Sequence, residues 1–276
     1  MASVVVAGFA TIDYVVQVEG DFTGRGTRLM REAAWPRAGG AALYASAALA
    51  LAGVEAAPLT WIGDDADGDA YLAACRAAGV ALTGVARRDG APSTRCLLIY
   101  NADGTYGCLL RAGPAALTAL QGRLAATAPW LVVAAGPPDI LSRLLDEVSP
   151  ATRVAWIVKD DPACFPPALA ARLARRADVV FCNAGEREWL EAKRAGAAPD
   201  GQGVFETRGA AGVRVEAGGE TFDLAVAPLT VTDATGAGDT FAGGALAVLV
   251  SGGSPREAAL AGVAAAGKLL RRRSAP

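Results

Sequence analysis

The chain contains no histidine. That absence excludes imidazole general bases, hydrolases built on a Ser-His or Cys-His pair, and histidine-ligated zinc. Acid–base chemistry is left to carboxylates, lysine, cysteine or tyrosine. A surplus of either charge is also missing, since 26 basic residues face 28 acidic ones for a net charge of −2. No electrostatic footprint for nucleic acid or an anionic membrane follows, and neither is expected as a partner. The five cysteines (Cys75, Cys96, Cys108, Cys164 and Cys182) form no C-x-x-C pair and are odd in number. A disulfide framework is therefore not expected, and a reducing cytoplasm is. The N-terminus has no basic stretch and soon carries Asp13, unlike a signal peptide. The longest uncharged run, between Arg37 and Glu55, is rich in glycine and alanine and too short for a membrane span. No G-x-x-x-x-G-K-[ST] occurs, and Gly8-Phe9-Ala10 lacks the other glycines of a dinucleotide fingerprint, so neither a P-loop NTPase nor a Rossmann dehydrogenase is expected. Asp65, Asp67 and Asp69 imitate the start of a calcium loop, but Ala70 and Arg76 stand where that loop needs glycine and glutamate.

What is present is 276 residues, 53% of them hydrophobic, enough for one large core over residues 1–276. Alanine is about a quarter of the chain, which suits close-packed helices. Short apolar runs read as buried strands: Ser3–Gly8, Leu59–Ile62, Trp130–Val133, Val154–Val158 and Asp178–Cys182. Between them, Gly40–Leu51, Asp67–Ala78, Ile140–Val148 and Pro167–Arg176 have helical character. Buried strands alternating with helices predict an α/β fold with a mostly parallel, doubly wound sheet. Two segments break the rhythm: Tyr14–Val18 with Arg25–Trp35, and the hairpin pattern of Thr94–Tyr100, Asn101-Ala102-Asp103-Gly104 and Thr105–Leu110. They predict a small antiparallel β lid, formed by about 14–35 and 94–111. Residues Ala195–Gly203 read as a surface loop. The last helix opens on Ser254-Pro255-Arg256-Glu257, a capping box. The Arg271-Arg272-Arg273 triplet near its end reads as a complement to the helix dipole and a solvated tail.

The segment richest in chemistry is Asp233-Ala234-Thr235-Gly236-Ala237-Gly238-Asp239-Thr240-Phe241. A small-residue turn opening a helix aims backbone N–H groups, at the positive end of the dipole, toward an anion. Asp239 in the first helical turn is either a routine partner of that dipole or a base toward a hydroxyl brought beside a phosphate.

These nine residues match throughout the signature D-x-T-G-A-G-D-x-F of the ribokinase-like carbohydrate and nucleoside kinases, the PfkB family, which the chain resembles over about residues 3–270. The resemblance implies a three-layer α/β/α fold with about nine mostly parallel strands and the β lid. It implies that Asp239 is the catalytic base toward a substrate hydroxyl attacking the γ-phosphate of ATP, with the N–H groups of Gly236, Ala237 and Gly238 as the anion hole. Thr235 would lie beside the nucleotide, and Asp233 would help organise a monovalent cation such as K⁺. Asn183-Ala184-Gly185-Glu186 resembles the family's N-x-x-E motif, whose amide and carboxylate orient waters on Mg²⁺. By itself it reads first as an Asn N-cap with a glutamate three residues on. Thr207, Gly209 and Gly212 fall on a T-x-G-x-x-G loop that cradles the nucleotide. Asp13 matches an acid that binds substrate hydroxyls, and Gly39-Gly40 the di-glycine that lets substrate approach the backbone. The lid edge suggests a homodimer.

The substrate half departs from the family pattern. No asparagine follows the di-glycine in Ala41-Ala42-Leu43-Tyr44, Ala41 replaces a lysine of ribokinases, and Ala134-Ala135-Gly136 stands where ribokinase carries a sugar-contacting glutamate. Ribose is accordingly disfavoured, and a sugar, polyol, sugar acid or nucleoside is expected more broadly. Tyr44 either stacks on a ring or bonds a hydroxyl, or is a helix residue packed under the lid. Arg111 at the hairpin end either reaches the pocket or lies on the surface. The alternative class is a nucleotide-binding regulatory protein with little turnover.

Overall fold

The computed structural model describes residues 2–274 apart from 23, 32–35, 103, 104, 195, 197, 230 and 232. The hairpin-turn residues Asp103 and Gly104, the end of the first expected lid segment and two residues of the expected 195–203 loop thus lie outside the described residues. In chain order the strands are β1 (Val4–Ala7), β2 (Thr11–Val18), β3 (Met30–Arg31), β4 (Arg37–Gly39), β5 (Ala56–Gly63), β6 (Val85–Arg88), β7 (Thr94–Tyr100), β8 (Tyr106–Arg111), β9 (Trp130–Val133), β10 (Arg153–Ile157), β11 (Val179–Asn183), β12 (Gly203–Thr207), β13 (Val213–Ala217) and β14 (Glu220–Leu224). The helices are α1 (Ala41–Leu51), α2 (Ala66–Ala77), α3 (Ala119–Thr127), α4 (Pro138–Glu147), α5 (Pro167–Arg176), α6 (Ala184–Arg194), α7 (Ala237–Val250) and α8 (Pro255–Ser274).

Nine strands form the main sheet in the order β14-β13-β12-β11-β10-β9-β1-β5-β6. The pairings from β12 to β6 are parallel, and β13 and β14 close one edge antiparallel. The apolar runs explain this directly, because a strand covered on both faces needs apolar residues at every position. Val5 and Ala7 of β1 pack with α3, α4, α5 and α6, whereas Val4 and Val6 pack with α1, α7 and α8. The expected sheet and its helical layers are thus observed, with strand ends within a few residues of the predicted ones. No helix among the described residues is long and apolar enough to cross a membrane.

A second sheet has five strands, β3-β2-β7-β8 with β4 on β2. Three of its pairings are antiparallel, as expected, and β2 and β7 run parallel from Thr11↔Thr94 to Gln17↔Tyr100. The parallel pair has a simple origin. β2 continues from β1 and β7 from β6, two strands that run the same way in the main sheet, so both leave it in one direction.

The Asp65 carboxylate, at the head of the false calcium loop, is the N-cap of α2. It accepts from Gly68 N at 2.9 Å and from Ser93 N and Oγ at 2.9 and 2.6 Å. The Ser254–Glu257 box also forms.

Candidate active site

In open α/β sheets ligands bind beyond the carboxyl ends of the strands. The residues singled out in the sequence gather there. Asp13 lies on β2 just past the end of β1, Asn183 ends β11, and Thr207 pairs with it at the end of β12.

Asp13 is buried, and burial raises its pKa against the opposing pull of the Thr11 hydroxyl, Arg37 and Arg273. The di-glycine beside it is dictated by crowding. A Cβ on Gly39 would fall 1.9 Å from the Asp13 carboxylate, and one on Gly40, at φ +90°, 2.2 Å from the Phe9 carbonyl. Small residues at Ala134-Ala135-Gly136, where a polar contact is missing, have a comparable reason. The Gly8-Phe9 link passes against them, with Phe9 N donating to the Ala135 carbonyl at 2.8 Å and Gly136 packed on Gly8.

The glycine turn is built around Gly236, which caps α7 in the left-handed region at φ 73°. A side chain there is excluded twice, by the backbone and because its Cβ would lie 2.5 Å from the Tyr44 ring. Ala237 N donates to the Ala234 carbonyl at 3.0 Å and Thr240 N to the Gly236 carbonyl at 2.9 Å. Of the expected anion hole, Ala237 N–H is therefore already engaged, and the groups with no acceptor inside the helix are Gly238 and Asp239. A Cβ on Gly238 would meet nothing within 4 Å, so this glycine faces open space and not a packed neighbour.

The two acids of the turn sit in opposite environments. Burial pushes Asp239 from 3.8 to about 6, with Lys159 pulling against that rise and Asp13 adding to it. Burial also works against the charge of Asp233, but Arg37 and Thr235 outweigh it and hold that carboxyl at about 2. Arg37 clasps both Asp233 oxygens, its Nη2 reaching Oδ1 at 3.2 Å, and Thr235 N donates to Oδ1 at 3.0 Å. Arg273 Nη1 stands 3.6 Å from Oδ2. Guanidinium groups thus balance the charge of Asp233, Arg37 on both of its oxygens and Arg273 close to one of them.

Tyr44 is committed to the same turn. Its hydroxyl accepts from Arg273 Nη2 at 2.9 Å and its ring lies beneath Gly236. The structure shows it as a helix residue packed against the glycine turn, with Arg37 of β4 among its charged neighbours. Thr235 is also occupied, its Oγ1 2.8 Å from the Tyr100 hydroxyl on β7. Arg111 is exposed at the end of β8.

Asn183 and Glu186 form the reciprocal cap that was one of their two readings: Asn183 N donates to Glu186 Oε2, and Glu186 N to Asn183 Oδ1, each at 2.9 Å. The cap uses one Glu186 oxygen. Burial nonetheless raises the Glu186 pKa to about 7, opposed by the Asn183 N–H and Lys159 and reinforced by Asp239, so the two carboxylates share one neighbourhood. The 207–212 loop is closed by Arg208 N donating to the Gly212 carbonyl at 2.8 Å. Gly212 at φ 96° could carry no side chain, since its Cβ would meet the Leu224 carbonyl at 2.0 Å, while Gly209 at φ 57° faces open space.

Sequence reasoning missed Lys159. It follows β10, its ammonium donates to the Tyr106 hydroxyl of β8, and it lies 4.9 Å from that ring's centre. Burial works against its charge, but Tyr106, Glu186 and Asp239 outweigh it and raise its pKa. One of three lysines in the chain, standing directly after a buried strand, was the available signal.

The family described as pfkB family carbohydrate kinase matches residues 1–275. No curated protein matches the sequence. Among solved structures, ribokinase from Cryptococcus neoformans var. grubii serotype A in complex with ADP superposes with a TM-score of 0.81 at 24% identity, covering 98% of this chain and 94% of that one. A Burkholderia thailandensis nucleoside kinase in complex with inosine gives 0.77 at 19% identity, covering 94% and 89%. Arabidopsis thaliana ribokinase complexed with ribose and ATP gives 0.75 at 22%, covering 98% and 93%. At these identities the likeness concerns the fold.

The raised pKa of Asp239 has a consequence for stability that does not depend on any activity. Its ionised form is disfavoured in the folded state, so the cost is absent below pH 4 and present above about pH 6. Asp239→Asn is expected to melt roughly 2–5 °C higher than the parent at pH 8 and at the same temperature near pH 4, as read by calorimetry.

Proposed function

The chain belongs to the pfkB family of carbohydrate kinases, and we propose that it transfers the γ-phosphoryl group of ATP to a hydroxyl of a small sugar, polyol, sugar acid or nucleoside. The observation that carries this reading is the turn at Gly236, where one acid is tuned to about 6 and the other is locked as an anion by arginine. Environments that separate two acids in this way assign the proton-accepting role to the one that titrates near neutrality.

Asp239 accepts the proton of the substrate hydroxyl, whose oxygen forms the new bond to phosphorus as ADP leaves with the bridging oxygen. Asp13, whose charge reaches Asp239, anchors other hydroxyls of the same substrate. The Gly238 and Asp239 N–H groups and the positive end of α7 meet the charge on the transferred phosphoryl, in the open space at Gly238. Lys159 adds a full positive charge beside Glu186 and Asp239. The loop with Thr207, Gly209 and Gly212 borders the nucleotide. Asn183 and Glu186 fit Mg²⁺ held through water, since one Glu186 oxygen lies outside the cap and its second neighbours are Lys159 and Asp239. When bound, that ion neutralises phosphate charge.

The second sheet serves as the lid and as a dimer surface. Its edge strand β8 is exposed along its whole length, and Leu109 and Leu110, on opposite faces, are 64% and 39% exposed. A bare apolar edge strand favours pairing with a second copy.

Three measurements test these readings. ADP release from Mg·ATP across a panel of pentoses, hexoses, polyols, sugar acids and nucleosides should identify an acceptor, and Asp239→Ala should lose roughly 10²–10⁴-fold or more of kcat. With the parent protein, kcat/KM should fall about tenfold per pH unit below pH 6 and level off above it. Normal turnover by the variant would refute the assignment, and ATP-induced stabilisation without any acceptor would favour the regulatory alternative. In sedimentation, the parent should run as a dimer and Leu109→Arg as a monomer; a monomeric parent contradicts the lid interface.

A further inference from the structure

The C-terminal arginine triplet does not behave as a unit. Arg271 and Arg272 are exposed, as expected of a solvated tail, but the Arg273 side chain is only 15% exposed. Successive residues of a helix point about 100° apart, so one of three faces inward. Its direction follows from how α7 and α8 pack. Gly244 sits against Ala261 and Ala265, and Gly262 against Phe241, so the two helices run side by side in opposite directions and approach closely at these glycines. Helix α8 has 20 residues and α7 has 14. The longer helix therefore overshoots the amino end of α7 and delivers Arg273 to the glycine turn.

There its guanidinium donates to the Thr235 carbonyl through Nη1 and to the Tyr44 hydroxyl through Nη2 at 2.9 Å, and Nη1 stands 3.6 Å from Asp233 Oδ2. Its carbon lies 5.5 Å from the centre of the Tyr44 ring. A backbone carbonyl and a carboxylate converging on one point, over an aromatic face, is an arrangement that would hold a small cation; here a side chain of the protein occupies it. We infer that Arg273 is a built-in cation for the Gly236 turn, a positioning residue that fixes Thr235 and Asp233 and makes the site independent of a bound monovalent metal ion. This rests on the phosphotransferase reading only for what the turn is used for. The charge serves that use as well, because Arg273 bonds the Thr235 carbonyl next to Gly236, the residue that caps the positive end of α7.

The test uses the intact chain, with Arg273→Ala and Arg273→Lys, and reads melting temperature and Mg·ADP affinity in potassium chloride, choline chloride and millimolar guanidinium chloride at constant ionic strength. For the parent, both quantities should be the same in potassium and choline. Arg273→Ala should melt lower and bind Mg·ADP roughly tenfold more weakly, and guanidinium or potassium should restore at least part of both losses. Arg273→Lys, which keeps the charge but cannot make the forked contact, should fall between. Potassium-specific stabilisation or tighter nucleotide binding in the parent would overturn the inference. So would an Arg273→Ala loss that no small cation repairs, since a purely packing role predicts that result. If no variant or parent binds Mg·ADP, the phosphotransferase reading fails, and the melting temperatures alone still decide whether a cation substitutes for Arg273.

Discussion

The left-handed turn at Gly236 is the constraint on which the rest of the site depends. Its φ of 73° and the Tyr44 ring beneath it admit no side chain. From that one residue follow the direction of α7, the aim of its amino end toward the open space at Gly238, and the place of Asp239 in the first helical turn. The turn also sets demands further away. For α7 to lie close to both α1 and α8 it must present small residues, and Gly243 and Gly244 are packed where a Cβ would fall within 3 Å of either neighbour. Close packing against α8 in turn brings Arg273 back to the turn it helps to hold.

Electrostatics divides the labour between two acids six residues apart in sequence. Asp233 is surrounded by arginine and amide donors and is a fixed anion with a structural task. For Asp239 burial outweighs the pull of Lys159, and its carboxyl titrates near neutrality. A group of that kind exchanges a proton at small cost in either direction, as a base toward an alcohol requires. The second sheet is linked to the same centre by two phenols, Tyr100 to Thr235 and Tyr106 to Lys159, so a movement of that sheet is felt at the turn.

Much of this was legible in the sequence, for reasons that differ by residue. The strands β9 and β10 and helix α5 are bounded by local signals, apolar runs and a proline at the helix start, and local signals survive in a single chain. The Asp233–Phe241 signature was readable because its residues are contiguous, and the left-handed backbone at Gly236 by itself asks for glycine. Residues whose role depends on partners far along the chain were opaque. Arg273 meets Tyr44 across 229 positions and Arg37 meets Asp233 across 196; nothing in an arginine triplet says which member turns inward until the packing of α7 on α8 is known. Lys159 had only its place after a strand to mark it. The parallel pairing of β2 with β7 was likewise set by the order of strands in the main sheet and not by the residues of the hairpin.

The most direct test of the account is whether the amino end of α7 receives phosphate. Backbone amide resonances of Gly238 and Asp239, followed by NMR while the protein is titrated with Mg·ATP and separately with adenosine, report on that point alone. The account predicts that both amides shift strongly with Mg·ATP and little with adenosine, because the phosphates and not the base approach them. Amides at 238 and 239 that ignore Mg·ATP, while resonances elsewhere in the protein respond to it, would contradict it.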